Sequence, residues 1–338
     1  MNLKPFFTSF IITFLILLLP YALVRVLDAR VLNPEQHVVN AIWLGSVYSL
    51  FALGYALVFS ILGVLNLSHS AVFMMGAYIG LTAVKDYGFP LLLALPAGMI
   101  GGGIIGILVD LIAFAPLRKR NAPRISQLIS SIGAAAVLVN LAKLQFGTEP
   151  AGFPRSEIDK LPYNAAKARE YALPDFGIEF RITPIQIAIL VISLLLMFLL
   201  QYMVARTKTG KAMRVVAFNQ KTASLLSINV GSIFQLTFFM AGALAGAAGV
   251  LFGLAYQNSI LPYMGDQIAL KGLTVIVVGG LGSIRGATLG GFVVAAVEVY
   301  AVAIGYSWLN EAAIFVTLFL LLLIRPQGLL GQAAIKRA

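Results

Sequence analysis

Apolar positions along this chain fall in long unbroken runs, not in the stripes or alternations of a water-soluble core. Such runs occupy 6–24, 38–59, 67–84, 89–114 and 125–144, then 184–204, 232–252, 267–278, 287–304 and 307–324. A helix needs about 20 apolar residues to cross the hydrocarbon core of a bilayer. The pattern therefore predicts an all-α membrane protein, a helical bundle of about ten transmembrane segments. The run at 267–278 is short and closes on Gly279 and Gly280, so it reads either as a span or as a bent or re-entrant piece. Full crossings then number between roughly eight and ten. The first run follows Lys4 as a signal sequence would. Its flank, Tyr21-Ala22-Leu23-Val24-Arg25, has no small-residue cleavage site, so an uncleaved helix is expected.

Composition sharpens this reading. Of the 338 residues, 60% are hydrophobic and 11% charged; a soluble domain carries roughly 25% charged residues. Apolar surface in such excess must face lipid. The chain has no Cys, which removes disulfides, thiolate metal sites and Cys nucleophiles. His37 and His69 are its only histidines, too few for a His-based metal centre within one chain.

The net charge of +11 would suit nucleic acid, but the basic residues sit in short segments between apolar runs. That placement reports topology. With the N-terminus in the cytoplasm, the inner segments hold Lys4, Arg118, Lys119, Arg120, Arg124, Arg206, Lys208, Lys211, Arg214, Lys221, Arg285, Arg325, Lys336 and Arg337, and no acid. The acids Asp28, Asp86, Glu149, Asp175 and Asp266 fall outside. Both termini are therefore expected in the cytoplasm. The long outer segment 145–183 is polar and broken by Pro150, Pro154, Pro162 and Pro174. It serves either as a cap or docking surface, or simply as an ordered closing loop. Five runs precede it and five follow, which allows halves of opposite orientation, although no sequence match between them is visible.

Chemistry is sparse. The phosphate-loop pattern is absent: Gly210-Lys211 lacks the earlier glycine and the following hydroxyl, so the chain should not bind ATP itself. Neither H-E-x-x-H nor a carboxylate cluster occurs, which argues against a membrane-embedded enzyme. A charge at the bilayer centre costs roughly 2.5–3.5 kcal/mol on insertion scales and so faces protein or water. Asp110, Lys271 and Glu298 are such charges. Asp110 reads as structural; Lys271 and Glu298 read either as an ion pair or as part of a substrate path. Asn66 and His69, at the start of the third run, read either as helix capping or as part of a gate. Small residues four apart, as in Gly242 and Gly246, predict close helix packing.

One inner segment is too long for a connection. Residues 206–229 are basic, with apolar positions at helical spacing and Thr209 placed to cap a helix. A surface helix of this kind lies on lipid headgroups or in a groove of another protein; its modest apolar face favours a protein.

This segment resembles the cytoplasmic coupling loop of the branched-chain amino acid permease family, the LivH-type subunits of ABC importers. The resemblance rests on Arg206, Thr207, Gly210, Ala212, Arg214, Ala217, Asn219, Ala223, Leu225, Ile228 and Asn229. The stretches 66–78, 110–120, 279–291 and 325–331 resemble further motifs of that family in the same order. Four positions depart from it: Ser227 replaces a glycine, Phe218 a frequent acid, and Ser70-Ala71 a glycine and an acid. The resemblance implies a single transmembrane permease domain over 1–338. Its coupling residues would be Arg206, Thr209, Gly210, Lys211, Ala212, Arg214, Ala217, Asn219 and Ala223. Two ABC ATPase subunits would bind the ATP, so the chain needs no cofactor or metal of its own. A second homologous permease and a periplasmic binding protein would complete the assembly in the bacterial inner membrane, with no nucleic-acid partner. The implied activity is ATP-driven uptake of branched-chain or neutral amino acids. The alternatives are a urea or short-amide permease, or an ion-coupled secondary transporter. Asn66, His69, Lys271 and Glu298 are the candidate path or gate residues.

Overall fold

The computed structural model describes residues 34–160, 169–173, 178–256, 258–304 and 310–331. The run at 6–24 lies outside these residues. The first half contains α1 (Pro34–Leu62), α2 (His69–Lys85), α3 (Ala94–Val109), α4 (Ala115–Lys119) and α5 (Arg124–Phe146). The outer segment carries α6 (Arg155–Asp159) and the strands β1 (Arg169–Leu173) and β2 (Ile178–Ile182). The second half contains α7 (Pro184–Arg206), α8 (Lys208–Phe218), α9 (Gln220–Leu225), α10 (Val230–Ala255), α11 (Met264–Gly279), α12 (Ile284–Ala303) and α13 (Asn310–Ile324).

Among the described residues, six helices are long and apolar enough to cross a membrane: Glu35–Leu62, Leu91–Lys119, Arg124–Phe146, Pro184–Arg206, Val230–Ala255 and Ile284–Ala303. Helices α2 and α11 are shorter, at 17 and 16 residues. Both start inside the bundle. Ser68, His69 and Ser70 are buried, as are Met264 and Gly265. The two starts touch: a Cβ on Gly265 would lie 2.5 Å from the Ser70 carbonyl oxygen. This accounts for the brevity of the eighth apolar run.

Helices α1 and α10 form the centre, with 89% and 72% of their spans buried, whereas α5 and α7 are only 17% and 22% buried and line the perimeter. The closest seam joins α3 to α10. Gly98, Gly102 and Gly106 recur every four residues and face Gly242, Gly246 and the Phe238 backbone. A Cβ on Gly246 would sit 2.0 Å from the Gly98 carbonyl oxygen, so only hydrogen fits there. Helix α12 packs in the same way on α1, with Gly291 against Ser49.

The span Leu91–Lys119 bends through a π-helical turn at Asp110–Phe114. Pro116 lies just beyond; it cannot donate a backbone hydrogen bond and would clash with the carbonyl four residues back, and the wider turn relieves this. Ser130 Oγ on α5 donates to the Ala113 carbonyl at 2.9 Å. Arg118 grips Asp110 with both guanidinium nitrogens, at 2.5 and 3.0 Å. The same guanidinium lies 4.6 Å from the Phe234 ring centroid, which ties this bend to α10. Asp110 is thus structural.

Among its described residues the segment 145–183 has one feature the pattern did not predict, the antiparallel β1–β2 hairpin, in register Arg169↔Ile182 to Leu173↔Ile178. Gln36 on α1 anchors it, donating to the Arg181 carbonyl at 2.9 Å and accepting from its N–H at 2.7 Å. Ala151 pairs with Ile260, and Phe153 and Ile158 are buried beneath.

Candidate functional site

The segment 206–229 forms two helices rather than one, meeting at a corner on Asn219. Thr207, not Thr209, caps the first. Thr207 holds the extended conformation a cap requires, accepts from the Gly210 N–H at 3.0 Å and donates to the Met203 carbonyl at 2.7 Å. Thr209 lies within the first turn of α8. Asn219 Oδ1 accepts from the N–H groups of Lys221 and Thr222, and Asn229 Oδ1 from that of Ser232. Arg214 donates to the Val204 carbonyl. Four polar side chains therefore fix this segment's path between α7 and α10. Ser227 sits at φ +59, in the left-handed region that favours glycine. That explains the glycine of the motif this segment resembles.

The small residues among the implied coupling positions turn inward. A Cβ on Gly210 would lie 2.3 Å from the carbonyls of Met203 and Val204, so glycine is needed for α8 to fold back on the end of α7. Ala223, Met213 and Val216 are buried against the spans, and Ala212 and Ala217 pack half-buried on the same core. A short helix must lie close to the bundle to bury anything, and small side chains permit that. The outward face carries Arg206, Lys208, Lys211, Arg214 and Lys221, all exposed. Beside them Phe218, Leu225 and Leu226 are 79%, 84% and 62% exposed. A cluster of large apolar side chains ringed by charge marks an interaction surface.

Inside the bundle, Lys271 of α11 and Glu298 of α12 form an ion pair at 2.5 Å. Tyr48 of α1 completes it, accepting from Lys271 Nζ at 3.0 Å and donating to Glu298 Oε2 at 2.8 Å. The triangle satisfies both charges and joins three helices. Tyr48 left no signal in the sequence, where a tyrosine in an apolar run looks like any other span residue.

Asn66 and His69 occupy a separate place, Asn66 on the turn before α2 and His69 at its first residue. Asn66 Oδ1 accepts from Ser68 N and Oγ, at 3.2 and 2.6 Å, and so shapes the turn. His69 Nε2 lies 3.0 Å from the Phe51 carbonyl, with its ring 4.9 Å from that of Phe51 and 4.7 Å from that of Tyr55. Phe51, which also packs on Gly272, stands between this group and the Lys271 pair. Lys143 ends α5 with its ammonium 4.3 Å from the Tyr263 ring centroid.

A profile of the family described as branched-chain amino acid transport system / permease component matches residues 37–324. The high-affinity branched-chain amino acid transport system permease protein BraD of Pseudomonas aeruginosa is 33% identical, over 89% of this chain and 97% of that protein. The corresponding LivH of Escherichia coli K12 is 32% identical, with the same coverage. Among solved structures, an inward-facing ABC transporter described as of metal-chelate type matches with a TM-score of 0.50 and 15% identity, over 94% of this chain and 99% of that one. At that identity the likeness is one of fold.

Proposed function

The chain belongs to the branched-chain amino acid transport system permease family, and from that premise we propose that it is one transmembrane subunit of an ATP-driven importer of branched-chain or other neutral amino acids. The observation that carries this reading is the α8–α9 segment. It is fixed to the bundle on one face and presents basic residues with Phe218, Leu225 and Leu226 on the other. Two ATPase subunits dock there and supply the hydrolysis. A second homologous permease completes the pore, and a periplasmic binding protein delivers substrate to the cap over 145–183.

In this reading the six long helices, α2, α11, α13 and the run at 6–24 make ten crossings of a bacterial inner membrane, with both termini in the cytoplasm. The halves are related by inversion. Packing supports this: α1 lies chiefly on α12 as α10 lies on α3, and the starts of α2 and α11 meet. Short helices beginning inside a bundle, at the interface of two repeats, are where transporters place their sites. Asn66 and His69 lie beside that meeting point and, with Lys271 and Glu298, are assigned to the gate. Closure and opening of the ATPases then bias the bundle between outward and inward access.

Reconstitution of the complete transporter tests this. Leucine-loaded binding protein should stimulate ATP hydrolysis and drive leucine uptake into vesicles. Stimulation by urea or a short amide with none by neutral amino acids would refute the substrate assignment. Uptake driven by an ion gradient without ATP would refute the whole reading.

A further inference from the structure

The cytoplasmic end of α1 opens onto a cavity of about 900 Å³. Leu62 from α1 and Leu281 from the loop before α12 give it an apolar wall, while Phe218 and Lys221 at the α8–α9 corner and Arg124 at the start of α5 close its other sides. The Arg124 guanidinium lies over Gly63, 3.5 Å from where a Cβ would stand.

Two features define an occupant. The first is charge. Neither Arg124 nor Lys221 makes a side-chain hydrogen bond or ion pair among the described residues. The segments 57–69, 115–124, 206–229, 280–285 and 325–338 contain no Asp or Glu. Two cations thus face an open cavity, and these segments offer them no Asp or Glu side chain. The second is position. The cavity opens at the end of α1, the central helix with 89% of its span buried, between the start of α5 and the α8–α9 corner. Lipid headgroups ring the perimeter; a soluble chain reaches the centre.

We propose that this cavity is a socket for an acidic segment of the ATPase partner, seating a carboxylate between Arg124 and Lys221 and an apolar neighbour against Leu62 and Leu281. The proposal rests on the reading of 206–229 as the coupling element. It adds that the ATPase holds this element from both sides, at Leu225 and Leu226 outside and at the α8–α9 corner within. Because α1, α5 and α8–α9 all wall the socket, a carboxylate entering or leaving it acts on three elements at once.

The chain has no native Cys, so single thiols report cleanly. In the complete transporter, reconstituted in phosphatidylethanolamine-containing vesicles, Ser60→Cys on the cavity wall and Leu225→Cys on the outer face are each treated with a short thiol-to-amine crosslinker. Both should join the ATPase chain. In parallel, Arg124→Glu with Lys221→Glu should lower ATPase retention through a detergent wash by about tenfold, as expected for loss of a charge-paired contact. Lys119→Glu, a cytoplasmic cation outside the cavity, should not. The double Gln variant, checked for a single size-exclusion peak, should show the same loss in weaker form. Crosslinking from position 225 alone overturns the socket and leaves the coupling reading standing; crosslinking from neither position overturns both. Capture of phosphatidylethanolamine or of the second permease chain by the thiol at position 60, or full retention in both double variants, also overturns the socket.

Discussion

At the residue scale, the most consequential contact is the Lys271–Glu298–Tyr48 triangle. The two charges were legible because an ionisable residue in an apolar run stands out; their pairing was not, since 27 residues separate them and Tyr48 lies 250 residues from Glu298. Removing one member of a buried pair strands the other and costs about 3 kcal/mol or more. Glu298→Leu and Lys271→Leu should each lower the temperature at which the solubilised protein loses its monodisperse state, and should impair uptake. Glu298→Gln should be milder, because an amide keeps a hydrogen bond to Tyr48. The double Leu variant should recover much of the stability, as apolar replacement of a whole buried pair is often neutral. Single Leu variants as stable as the parent would show that the pair carries no structural load. Thr207 teaches a different lesson. Thr207 and Thr209 have the same side chain, and only the point where α7 breaks decides which one caps α8.

At the scale of elements, the glycine spacing announced close packing without naming the partner helix. Gly242 and Gly246 meet Gly98 and Gly102, more than 130 positions away, and Gly246 also meets Gly76 of α2. Gly246→Val should therefore force α3 and α10 apart, beyond the usual overpacking cost of about 1–3 kcal/mol, because the obstructing atom is backbone and cannot rotate away. Gly133 on the exposed flank of α5 has nothing within 4 Å of an added Cβ, so Gly133→Ala should leave the yield of folded protein unchanged. Size-exclusion yield of the two variants checks this; equal yields would mean that the seam tolerates separation. The β1–β2 hairpin escaped prediction for a related reason. Five-residue strands between prolines carry no strong periodicity, and their pairing becomes favourable only once Gln36 and the ends of the spans hold them.

At the scale of the whole molecule, orientation follows from the side on which the basic residues lie, and thiol labelling tests it directly. Single cysteines introduced in place of Lys119 and Lys211 should react only from the cytoplasmic side, and one in place of Lys160, in the cap, only from outside. Cytoplasmic labelling at 160 would invert the topology and with it the placement of the coupling segment. The sequence by itself determined the membrane class, the apolar runs, the basic bias of one side and the family to which the motifs belong. Each of these depends on local composition or short spacing, and transfer from water to lipid acts on such segments one at a time. Tertiary structure alone decided that α2 and α11 begin inside the bundle, that Lys271 finds Glu298 and Tyr48, and that the small residues of 206–229 face inward while Leu225 and Leu226 face outward. These outcomes depend on which helix faces which across tens to hundreds of residues. That choice is made by backbone approach and by the need to satisfy buried charge, and neither is written in any single stretch of chain.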